Sequence, residues 1–147
     1  MKAILLIMIG LSSLSMAEET PRFTKADGVV TDSKTTLEWQ DDYSDNGDSV
    51  KSANWTDAID YCETLSLNSQ TDWRLPNKKE LLSIVNYDTY NPSINSVFQK
   101  NTSNDYWSST TDASYTNYAW YVNFSYGYTY GNAKSGYNSV RCVRAGE

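Results

Sequence analysis

The chain holds two cysteines, Cys62 and Cys142, and begins with a segment suited to carry it out of the reducing cytoplasm. Lys2 supplies a positive start, Ala3 to Leu11 is nearly all apolar, and Ser15-Met16-Ala17 places small residues where a signal peptidase cuts. Residues 1–17 therefore read as a signal peptide, and residues 18–147 as a single exported domain, periplasmic or secreted. The apolar run is too short to cross a bilayer, so no membrane span is expected. Thiols oxidise outside the cytoplasm, and the simplest state of the pair is one disulfide. It would close a loop of about 80 residues and contribute on the order of 4 kcal/mol by restricting the unfolded chain. Two free, buried thiols are the alternative.

Removing 17 of the 147 residues leaves 130, enough for one core but hardly for two. Lys2 leaves with the leader, which takes the formal net charge from −6 to −7. That charge argues against nucleic acid as a partner. The acid is uneven, however. Residues 113–147 carry Lys134, Arg141 and Arg144 against Glu147 alone, so an anionic ligand at this end stays open.

The pattern along the chain is a hairpin, two helices, then several strands. Gly28-Val29-Val30-Thr31 and Thr35-Thr36-Leu37-Glu38-Trp39 flank a polar turn at Asp32-Ser33-Lys34. Trp55, Ala58, Ile59, Cys62 and Leu65 form one helical stripe behind an Asn54 cap, which points Cys62 inward. Asn77 and Glu80 have the spacing of a capping box ahead of Leu81, Leu82, Ile84 and Val85. Residues 86–105 make a long irregular stretch, which is unusual unless packed or functional. Beyond it, Trp120, Val122 and Phe124 alternate with Tyr121, Asn123 and Ser125, so one face of that strand should be core and the other polar. Val140 and Cys142 should share one face of the closing strand, with Ser139 and Arg141 on the other. The expected fold class is α+β, two helices packed on antiparallel sheets, with the disulfide tying the first helix to the last strand.

Chemistry is scarce in this inventory. The chain has no histidine, so histidine-based triads are absent and a zinc site lacks ligands. Asp41 and Asp42 are adjacent carboxylates in an extended loop and should point apart, which disfavours paired acid–base work. The acidic loop Asp42 to Asp48 resembles an EF-hand loop but has Ala53 where the bidentate carboxylate belongs, so no metal or other cofactor is called for. Trp39, Trp55, Trp73, Trp107 and Trp120 sit in apolar patterns and read as core. Arg74 reads as structural through backbone carbonyls, whereas Arg141 and Arg144 are open between structure and ligand.

Recognition is better represented. Tyr115 to Tyr137 holds seven of the chain's twelve tyrosines, interspersed with short polar residues. Tyrosine gives broad contact area at low rotamer cost, and asparagine adds adaptable hydrogen bonds. The candidate ligand-binding residues are Tyr115, Asn117, Tyr118, Tyr121, Asn123, Tyr126, Tyr128, Tyr130, Asn132, Tyr137 and Asn138. The bland alternative is ordinary strand polarity, with tyrosine favoured by β-propensity.

The chain resembles the Lcl C-terminal domain family. The residues that carry the likeness run in order from Asp27-Gly28-Val29-Val30-Thr31-Asp32 and Leu37-Glu38-Trp39 through Trp55-Thr56-Asp57-Ala58 and Trp73-Arg74-Leu75-Pro76. They continue through Tyr106-Trp107-Ser108-Ser109 and Ala119-Trp120-Tyr121-Val122 to Val140-Arg141-Cys142-Val143-Arg144. The resemblance implies a C-type-lectin-like fold, similar also to formylglycine-generating enzymes, with a bridge from first helix to last strand that Cys62 and Cys142 match. It implies a binding surface in the last third of the chain, and the family's adhesin member implies an anionic polysaccharide as one ligand class. The calcium-site triplets of sugar-binding animal lectins are absent, so calcium-dependent sugar binding does not carry over. The expectation is a non-enzymatic exported domain that binds a glycan or a protein. The alternatives are an envelope assembly domain, with homo-oligomers open, and a carboxylate-based hydrolase.

Overall fold

The computed structural model describes residues 19–146; the expected signal peptide lies outside them. Strands β1 (Phe23–Ala26), β2 (Val29–Asp32) and β3 (Leu37–Gln40) form a meander, and β9 (Val143–Ala145) returns from the end of the chain to pair antiparallel with β3. The first strand escaped the sequence reading. Its signal is Asp27-Gly28, where both residues have positive φ (49° and 76°), as a tight two-residue hairpin turn requires. At Gly28 a Cβ would lie 2.5 Å from the Cβ of Asp42, so the close approach of the two loops demands glycine.

Helix α1 (Trp55–Thr64) starts where expected: the Asn54 side chain accepts a hydrogen bond from the Asp57 amide, and Ala58 and Cys62 are buried. Helix α2 (Lys78–Ser83) carries the complete Asn77–Glu80 capping box. Between them, Trp73 to Pro76 stitches the molecule together. Arg74 exchanges both backbone hydrogen bonds with Val143, and the Pro76 carbonyl accepts from the Ser109 amide. The Arg74 guanidinium does not reach backbone carbonyls as the sequence suggested; it grips both carboxylate oxygens of Glu80 at 2.7 and 3.1 Å.

The second sheet has five strands in the order β4 (Ser52–Ala53), β8 (Asn138–Ser139), β5 (Asp105–Thr111), β6 (Tyr118–Asn123) and β7 (Thr129–Ala133). All its pairings are antiparallel except a parallel contact between β5 and β8 at Tyr106 and Ser139. The irregular stretch before β5 is packed: Ile94 and Phe98 enter the core, and Val85 bridges Ile94.

Two hydrophobic clusters hold the layers. One joins Trp39, Leu81, Tyr106, Val122 and Phe124; the other joins Cys62, Trp73, Trp107, Ala119 and Cys142. Because Tyr106 faces Val122 and Trp107 faces Tyr121 across β5 and β6, the sheet is covered on both sides at its middle. The expected division of β6 into a core face and a polar face is therefore wrong. Tyr121 is half-buried against the second cluster, Asn123 is buried, and Trp120 is half-buried beneath Lys78, whose Nζ lies 3.9 Å from the ring centroid. Trp55 is likewise half-buried, under Lys134 at 4.0 Å, so three of the five tryptophans are fully core. Ser139, Val140, Arg141 and Cys142 are all buried, so the closing segment too lacks a solvent face. A disulfide joins Cys62 of α1 to Cys142 at the entry to β9.

Candidate functional site

Strand alternation sorts the eleven candidate residues. Opposite partners in a sheet project to the same side. The pairs Asp105–Asn123, Trp107–Tyr121 and Tyr121–Tyr130 therefore set one face of the five-stranded sheet. Tyr128 joins it, its ring 6.0 Å from that of Tyr130 and edge-on to it, and Asn132 follows two residues along β7. From buried Trp107 through half-buried Tyr121 to exposed Tyr130, the aromatic row climbs out of the core into solvent. Burial pushes the Tyr121 hydroxyl above the usual phenol value, and the Asp105 carboxylate and the Tyr128 and Tyr130 rings add to the effect.

At one end of this face lies an open, polar cleft of about 230 Å³, lined by Asn104, Asp105, Asn123, Tyr137, Asn138 and Ser139 among others. Asn123 is not free to meet a ligand. Its Nδ2 donates to Asp105 at 2.7 Å, and its Oδ1 accepts from the amides of Ser125 and Tyr126, so it fixes the turn into β7 and orients the carboxylate. Asn138 differs: its Oδ1 accepts from Asn132 at 3.2 Å, while its Nδ2 is buried without a partner. An unpartnered buried donor costs about 1–3 kcal/mol. Tyr137 stands at the rim, 69% exposed.

The other candidates are elsewhere. Tyr118 is three residues before Tyr121 and so projects from the opposite face of β6, its ring 6.1 Å from that of Tyr115. Exposed Asn117 lies in the same connection. Tyr126 is exposed at the turn beside Tyr87, whose hydroxyl donates to the Gly127 carbonyl at 3.3 Å. The tyrosines thus form more than one patch, and Tyr87 and Tyr90 are exposed members that the sequence reading passed over. Asp105, Asn104 and Ser52 were also missed. No local pattern marks them, because the β4–β8–β5 order alone brings them together.

The basic residues of the C-terminal end do not serve this face. Arg141 is buried, donating to the carbonyls of Gln40 and Lys100 and to Asp41. Arg144 is buried between Glu38 and Asp72. Their alternative role toward a ligand is excluded by those contacts; the third basic residue of this end, Lys134, is half-buried, with its Nζ over the Trp55 ring and on the Thr111 hydroxyl. Asp41 and Asp42 do point apart. Asp41 binds Lys25, Arg141 and the amides of Gln99 and Lys100, whereas Asp42 accepts from the Ser44 amide at 2.7 Å. In the acidic loop, Asp45 accepts from Tyr61 and Asp48 pairs with Lys100, so its carboxylates turn to separate partners.

Fold and face together define a disulfide-tied α+β domain with a polar cleft at whose rim one exposed tyrosine, Tyr137, stands. The chain belongs to the Lcl C-terminal domain family, whose model matches residues 28–144. That span takes in both helices, both cysteines and every candidate residue. None of the curated proteins matches the chain.

Proposed function

We propose that this is an exported, non-enzymatic domain of C-type-lectin-like type that binds a glycan or a protein through the face built by Tyr121, Tyr128, Tyr130, Asn132, Tyr137 and Asn138. The observation that carries the reading is the exposure of large aromatic side chains on a well-braced sheet. Tyr128, Tyr130 and Tyr137 are 45%, 65% and 69% exposed. Tyr128 and Tyr130 stand at the start of the edge strand β7, held in register along β6, and Tyr137 immediately precedes β8, which pairs with both β4 and β5. Rigid, exposed tyrosines lose little conformational freedom on binding. Export is supported by the leader-like sequence at residues 1–17 and by a disulfide, which belongs in an oxidising compartment. Among the described residues no helix is long and apolar enough to cross a membrane.

Glycan and protein arrays probed with the mature domain test the proposal. A specific ligand should be captured, and the combined Tyr128→Ala, Tyr130→Ala and Tyr137→Ala variant should lose it while melting at nearly the same temperature. Retained capture by the triple variant defeats the assignment. A change in molar mass on light scattering that tracks these tyrosines would instead make the face an assembly contact.

A further inference from the structure

A second open cleft, about 370 Å³, adjoins the first and shares Ser52 and Tyr137 with it. Its other lining residues include Lys51, just before β4, and Asp57, Asp60, Tyr61 and Thr64 of α1. The two clefts form one groove that crosses the end of the five-stranded sheet, with exposed Tyr137 standing at its middle.

The groove has a definite electrostatic character. Its ionisable lining consists of Asp57, Asp60 and Asp105 against Lys51, and Lys51 lies over the Tyr61 ring at 5.7 Å. The arginines that would reverse this balance are buried in the core. A polyanion entering the groove would meet uncompensated carboxylates. The polar groups that line it are instead the Asp105 carboxylate, the Ser52 hydroxyl and the Asn138 amide, whose unpartnered Nδ2 is itself buried. Donor and acceptor groups so mixed match vicinal hydroxyls, which donate and accept at once. Tyr137 offers a flat apolar face between them, as the C–H side of a sugar ring requires.

We infer that the groove binds an uncharged glycan chain, one sugar unit in the Asn138–Asp105 cleft and the next against α1, with Tyr137 stacked between. This rests on the binding role proposed above and narrows it to one ligand class and one part of the face. Calorimetry of the mature domain with cellotetraose, mannotetraose, xylotetraose and tetra-N-acetylchitotetraose tests it, with heparin and oligolysine as charged comparators. At least one neutral tetrasaccharide should bind, with affinity changing less than about twofold between low and physiological salt, since no ion pairs are involved. Tyr137→Ala and Asn138→Ala should each weaken it by about tenfold or more, whereas Tyr90→Ala, another exposed tyrosine outside the groove, should not. Tyr137→Ala carries the test if Asn138→Ala lowers the melting temperature. Binding of heparin or oligolysine alone, of no neutral tetrasaccharide, or neutral binding indifferent to Tyr137→Ala overturns the inference. If an array ligand is still lost with Tyr128 and Tyr130, the broader proposal stands without the groove; if nothing is captured anywhere, both fall.

Discussion

Asp41 shows how much a single side chain organises here. It is fully buried, and it accepts from Lys25 at 2.5 Å, from Arg141 at 3.2 Å and from two backbone amides at 2.9 and 3.0 Å. Arg141 is 1% exposed and stacks 4.8 Å from the Phe98 centroid, and among the described residues its charge pairs with the carboxylate of Asp41. Removing one partner of a buried pair leaves the other uncompensated, which costs about 3–5 kcal/mol. Asp41→Ala should therefore lower unfolding free energy by about that amount in urea titrations. Arg141→Met should cost less, because Lys25 and the Gln99 and Lys100 amides still hold the carboxylate. A loss below about 1 kcal/mol for Asp41→Ala would mean water reaches the guanidinium.

Among the elements, α2 is the one whose ends decide its existence. Six residues are too few for a helix to persist on propensity, so capping and packing must hold it. Asn77 and Glu80 close the amino end, Arg74 anchors Glu80, and Arg22 donates to the Ser83 carbonyl at the other end. Asn77→Ala should cost about 1 kcal/mol, measured by thermal or urea unfolding. Hydrogen exchange should also rise first at the α2 amides, because local opening follows the weakest caps. If α2 protection is unchanged, its buried face on Leu81 rather than its cap sets its stability.

For the whole molecule, the disulfide is the covalent long-range constraint. It joins residues 80 apart in sequence, and both sulfurs lie in the second hydrophobic cluster, beside Trp73 and Trp107. Reduction, or a Cys62→Ala, Cys142→Ala pair, should lower stability by about 4 kcal/mol, since the unfolded chain regains the closed loop's freedom. The comparison of urea midpoints with and without reductant measures it. No difference would show that packing around the cluster alone carries the fold. The same closure brings β9 beside β3, so a destabilised variant should lose the first sheet and α1 together.

The sequence determined the parts that depend on near neighbours. Both helix caps, the inward stripe of α1, the tyrosine-rich stretch and the α+β order follow from spacings of a few residues, where hydrogen-bond and packing geometry is local. The motifs around Trp73 and Cys142 were enough to resemble one family across most of the chain, and the model of that family matches it. What the tertiary structure alone decided is which groups meet. Arg141 and Arg144 look identical in sequence to surface arginines, yet sheet pairing places Asp41, Glu38 and Asp72 against them and buries both. The alternation in β6 promised a polar face, but a second cluster covers that side. The cleft beneath Tyr137 arises because β4, β8 and β5 lie side by side despite being separated by dozens of residues. Contacts of that kind are fixed by the closure of long loops and the filling of shared cores, which no local pattern records.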